Sequence, residues 1–149
     1  QTIFPIASLS KAFGAAALAV LVDKGLLNWD DEVVKYDRSF MLYVPWVTRN
    51  FQIIDLFAQH SGLASHVLTD LFELGFEPSH ILKVLKNVKP VSSFRSIFTY
   101  QNVLQLELDP LCQVLMKKSW EIVVKEHILE PLEMSHTYFK LSDFYRQEN

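Results

Sequence analysis

From Lys11 to Leu27 the chain is apolar on nearly every face, the pattern of a helix enclosed in a core rather than one lying on a surface. Gly25 stands where it can cap that helix. Upstream, residues 2–6 read as a short strand ending in a turn. Downstream, Asn28-Trp29-Asp30-Asp31-Glu32 starts a turn and a short helical segment, and residues 40–47, with Pro45, are irregular. Ile53, Leu56 and Phe57 share a face and predict a helix over 52–59, closed by the turn signal Ser61-Gly62. Helices are expected over 68–74 and 79–85, the second with Ser79 as N-cap and Ile81, Leu82 and Leu85 facing inward. Trp120, Val123, Val124 and Ile128 form the apolar face of a last helix over 119–129, with Ser119 as N-cap and Pro131 as its stop. Helices dominate, and strand candidates are too few to complete a sheet.

Composition narrows the class. Of 149 residues, 50% are hydrophobic and 21% charged, enough apolar material for one sizeable core and too much for disorder. A net charge of −3, with 14 scattered Lys and Arg, excludes the basic stripe of a nucleic-acid surface. The longest apolar run, residues 12–22, falls short of the ~18–20 residues of a membrane span. No signal peptide is visible at Gln1-Thr2-Ile3-Phe4-Pro5. Cys112 is the one cysteine and reads as a buried small side chain. His60 and His66 lack a third ligand at workable spacing, so no metal or cofactor is expected.

Candidate chemistry sits at Ser8 and Lys11. A serine hydroxyl needs an adjacent base to act as a nucleophile, and a lysine three residues along a helix lies on the same face. At a helix start, unpaired backbone N–H groups favour negative charge developing beside the serine, and Ser8 could supply half of an oxyanion hole. With 12 serines and 10 lysines, however, a Ser-x-x-Lys pair arises by chance about once. The flanking residues must carry the assignment.

Phe4-Pro5-Ile6-Ala7-Ser8-Leu9-Ser10-Lys11-Ala12-Phe13, followed by an Ala-rich helix, resembles the class C β-lactamases and their penicillin-binding and esterase relatives. Leu26-Leu27-Asn28-Trp29-Asp30-Asp31 is similar to the family's turn after the nucleophile helix, and residues 54–63 to its Arg-Asp-Leu-Leu-x-His-x-Ser-Gly-Leu segment. Tyr100-Gln101-Asn102 resembles the second catalytic motif, Tyr-x-Asn, and Ile128-Leu129-Glu130-Pro131-Leu132-Glu133-Met134 continues the likeness in family order. The resemblance implies catalytic roles for Ser8, Lys11 and Tyr100, substrate binding by Asn102, and no cofactor. Either Lys11 or Tyr100 can be the general base. A phenol beside a cation can fall below its usual pKa of ~10.

By the same resemblance the chain is a mainly α fragment of the α/β two-domain β-lactamase/transpeptidase-like fold, its sheet incomplete. Residues 1–149 then form a single partial domain without the flanking strands. The implied activity is serine hydrolysis through an acyl-enzyme on a small molecule or a peptidoglycan peptide: a β-lactam, a D-Ala-D-Ala-type peptide or an ester. Periplasmic or secreted location follows from the family. The third family motif, Lys-Thr-Gly or His-x-Gly, has no counterpart here, so this stretch alone is expected to be inactive. Asp109-Pro110 and Met116-Lys117-Lys118 replace the family's Leu-Gly and Thr-Gly-Lys-Ser. A kinked or shortened helix is expected there. These departures motivate a second reading, a non-catalytic relative kept for binding or scaffolding.

Overall fold

The apolar stretch forms α1 (Ser10–Asp23) in the computed structural model, which describes residues 4–140 and 142–143. Its buried residues are Gly14, Ala17, Leu18 and Leu21. Gly14 is there for packing: a Cβ at that position would lie 3.1 Å from Leu108 and 3.3 Å from Phe57. The helix stops before residue 27 because Gly25 turns left-handed (φ 69°) and its N–H bonds back to Val22 O at 2.9 Å.

Short elements follow. A 3-10 turn at Val33–Lys35 precedes α2 (Pro45–Asn50), α3 (Asp55–Ala58), α4 (Thr69–Glu73) and α5 (Pro78–Val84), which are joined by loops, and a second at Leu85–Asn87 follows α5 directly. A 3-10 segment, Val103–Glu107, leads into α6 (Leu108–Met116), and α7 (Trp120–Val124) passes into a π-helical turn, Lys125–Leu129. Among the described residues the β pairing is one isolated antiparallel bridge, Glu32 to Gln52. The chain is thus a mostly helical fragment, and α1, α6 and α7 pack together around a core that includes Leu18, Leu21, Leu111 and Val123. No helix among the described residues is long and apolar enough to cross a membrane.

Several local expectations change. Residues 4–6 form no strand, because a strand needs a neighbouring ladder and none is beside them; residues 2 and 3 lie outside the described set. The helix expected over 52–59 contracts to α3, cut off where Gln59 turns left-handed (φ 61°). α5 begins at Pro78, with Glu77 rather than Ser79 in the cap position. Proline suits a first helical residue, since its φ is preset and its missing N–H has no partner there anyway. Ser119 does precede α7, but its side chain makes no capping bond. Asp109 caps α7 instead, its Oδ1 accepting the Trp120 N–H at 3.0 Å.

The departures after Asn102 are therefore accommodated. Pro110 is the third residue of α6, within the first turn, and the change from 3-10 to α geometry falls just before it. At the far end Lys117 adopts the left-handed conformation (φ 58°) and donates its N–H to Gln113 O at 3.1 Å. A side chain is strained there and glycine is not. Lys117→Gly is expected to stabilise the fold by about 1 kcal/mol, read as a higher urea midpoint with an unchanged slope.

Candidate active site

Ser8 is the middle residue of the 3-10 turn Ala7–Leu9, ahead of α1. Ala7 takes φ 42°, a left-handed value that is costly for a residue with a Cβ, and the chain bends sharply just before the nucleophile candidate. One helical turn on, Lys11 Nζ donates to Ser8 Oγ at 3.2 Å. The same ammonium donates to Asn102 Oδ1 at 2.7 Å and sits 4.8 Å from the centroid of the Tyr100 ring. Tyr100 Oη lies 2.7 Å from Ser8 Oγ. Lys11 and Tyr100 thus meet at the Ser8 hydroxyl, and Asn102 joins them through Lys11.

Their surroundings suit proton transfer. Ser8 is exposed, while Lys11, Tyr100 and Asn102 are half-buried. The Lys11 ammonium first, and the Ser8 hydroxyl second, hold the Tyr100 phenol below its ordinary range. Ser8, Lys11 and Asn102 open onto a groove of about 1250 Å³ that runs on past Phe13, Glu107 and Trp120. Of the two histidines that lack a third ligand, His60 lies edge-on to Phe98, and His66 lies against Tyr100 with ring centroids 5.1 Å apart.

Positioning Tyr100 and Asn102 opposite α1 falls to residues whose part the sequence did not reveal. Asp55, at the start of α3 and 4% exposed, receives Arg95 Nε at 2.9 Å and Nη2 at 2.6 Å. Arg95 also donates to Gln52 Oε1 at 2.6 Å, and Asp55 accepts the Gln52 N–H at 2.8 Å. This planar, two-point pairing anchors the loop that leads to Tyr100. Nothing in the spacing of charges 40 residues apart marks them as partners. Gly62 belongs to the same joint: at φ 86°, a Cβ there would lie 2.6 Å from Ser92 O, so a side chain would push the loop away.

Comparison with known proteins bears on the family and the fold. The beta-lactamase family matches residues 1–147. An unguisins hydrolase from Aspergillus campestris is 28% identical over 151 residues, which take in 96% of this chain and 28% of that protein. The octameric penicillin-binding protein homologue from Pyrococcus abyssi superposes with a TM-score of 0.82 at 25% identity, covering 99% of this chain and 35% of that one. A D-stereospecific amidohydrolase from Streptomyces sp. shares the fold with a TM-score of 0.74 at 18% identity, over 87% of this chain and 42% of its own. The chain spans less than a third of the length of the curated relative. With two motifs in order, the matching helical architecture and a family match along nearly its whole length, the chain belongs to the beta-lactamase family.

Proposed function

We propose that the protein is a serine hydrolase that works through an acyl-enzyme on a β-lactam, a D-Ala-D-Ala-type peptide or an ester, with Ser8 as nucleophile. The observation that carries this is the convergence of Tyr100 Oη and Lys11 Nζ on Ser8 Oγ, at 2.7 and 3.2 Å. Tyr100 is the nearer of the two and its phenol is the easier to ionise for having Lys11 beside it, so Tyr100 is assigned as the base. The Ser8 proton passes to the phenolate as Oγ bonds to the carbonyl carbon. N–H groups at the start of α1 favour the negative charge on the carbonyl oxygen. The tetrahedral adduct collapses, the leaving group takes the proton from Tyr100, and an ester to Ser8 remains. Water, losing its proton to Tyr100, then releases the acyl group and restores Ser8. Asn102, held by Lys11, presents an amide to the substrate.

In this reading residues 1–149 are the nucleophile-bearing part of a larger domain, and the remainder completes the pocket. Periplasmic or extracellular location goes with peptidoglycan-type substrates. The scaffold alternative loses one of its motives, because Asp109 and Pro110 serve as an α7 cap and a first-turn residue rather than as defects. A fluorophosphonate probe on the full-length protein should give one adduct, at Ser8. Labelling that persists in Ser8→Ala would overturn the assignment.

A further inference from the structure

Between Tyr100 and Asn102 stands a residue that turns the other way. Gln101 is 1% exposed, and the residue that meets it, Gln59, is 8% exposed. The Gln101 N–H donates to Gln59 Oε1 at 2.5 Å, and Gln59 Nε2 donates back to Gln101 O at 3.2 Å. One side-chain amide thus pairs with both backbone groups of a single residue, as a neighbouring strand would. The Gln101 side chain in turn donates to Leu63 O at 3.2 Å and to Ala64 O. On either side the Thr99 N–H reaches Gln59 O at 2.8 Å and the His66 N–H reaches Tyr100 O at 2.9 Å.

This clasp costs stability where an apolar side chain would not. Gln101 Oε1 is buried and has no hydrogen-bond partner. Local cost of this kind, concentrated beside a reacting group, is characteristic of residues kept for geometry. Gln101 is buried while Tyr100 and Asn102 on either side are half-buried at the site, so the bonds that fix the middle residue also limit where its two neighbours can point. Those neighbours share one ammonium: Lys11 Nζ bonds Asn102 and lies over Tyr100.

We propose that Gln59 and Gln101 are positioning residues of the hydrolytic site, holding Tyr100 and Asn102 at the separation at which Lys11 serves both. The assignment rests on the reading that Tyr100 takes the Ser8 proton. The polar groups facing Tyr100 are Ser8 and Lys11 from the start of α1 and His66 from the facing loop. If the clasp loosens, Tyr100 drifts from Lys11 and loses the cation that favours its phenolate.

The test uses full-length Gln101→Met and Gln59→Met, with p-nitrophenyl acetate as substrate and fluorophosphonate as a probe of Ser8. Expected for both is a kcat lower by about ten- to a hundredfold, the effect of a displacement near 1 Å, with KM changed less than threefold. The pH at which kcat rises should also move up towards the ordinary phenol range, which a purely structural role would not cause. Gln101→Met, relieved of the orphan oxygen, should melt no lower than Gln59→Met, which strands the Gln101 N–H. A kcat loss that follows the melting temperature alone, with the pH midpoint unmoved, would overturn the proposal, and so would unaltered kinetics in both variants. Absence of fluorophosphonate adduct at Ser8 in the unsubstituted protein would instead count against the serine hydrolase reading itself.

Discussion

Tyr100→Phe should lower kcat for ester or amide hydrolysis by the full-length protein roughly 10²- to 10⁴-fold, and Lys11→Ala by a similar factor. The first removes the oxygen 2.7 Å from Ser8 Oγ, and the second removes the cation that holds the phenol below its usual range. Because the two residues act on one proton, their losses should not add: the double variant should be little worse than either single one. Activity in the unsubstituted protein should rise with pH through a value below 10, as the phenol ionises, and in Lys11→Ala that rise should shift upward. Steady-state kinetics across pH reads all of this. Independent, additive losses would mean that Lys11 and Tyr100 do not serve a common step.

Removing the charge-capable group at Glu107 should raise stability by a few kcal/mol at neutral to mildly alkaline pH. Glu107 is fully buried with Asp37 beside it, and it lies in the 3-10 segment directly after Asn102. Burial first, then the negative charge of Asp37 and a hydrogen bond to its carboxylate, push its pKa up to about 9. The folded state therefore keeps a proton that the unfolded chain releases near pH 4.5. Stability from this group is full below that value and is lost as pH rises through about 9, at ~1.4 kcal/mol per pH unit. At pH 7 the loss is on the order of 3 kcal/mol. Glu107→Gln should flatten the dependence, and Glu107→Leu should flatten it and add apolar burial. Urea denaturation between pH 5 and pH 9 measures it. If the slope survives in both variants, the proton resides elsewhere.

The two expectations draw on different kinds of sequence signal. Ser8, Lys11, Tyr100 and Asn102 stand out as site candidates in the sequence alone, because motif and flanking residues stand in contiguous words such as Phe4 to Phe13. Glu107 does not, since Leu-Gln-Leu-Glu-Leu reads as an ordinary amphipathic stretch and the closeness of Asp37 is a fact of folding. Asp55 and Arg95 were likewise silent as partners, and so were Gln59 and Gln101. Each of these pairs joins residues some 40 positions apart.

Helix boundaries show the same division. Apolar periodicity placed α1, α4, α5 and α7 approximately, because burial of one face is a local demand on composition, and the family resemblance implied α6. Where each helix begins or stops depended on contacts from elsewhere. Asp109 rather than Ser119 caps α7, and Lys117 accepts a left-handed turn where a glycine would have announced one. The strand read over residues 2–6 failed for a related reason, since a strand is defined by a neighbour and no ladder stands beside residues 4–6.

By itself the sequence determined the helical class and the family, and it named the four site candidates. Those are properties of local pattern and of chemistry written in consecutive letters. Only the tertiary structure decided that Lys11 and Tyr100 reach the Ser8 hydroxyl with Asn102 joined through Lys11, which loop holds Tyr100 and Asn102, and that Glu107 is buried against Asp37. Contacts between residues distant in the chain depend on the packing of the whole core, and no short stretch of sequence encodes them.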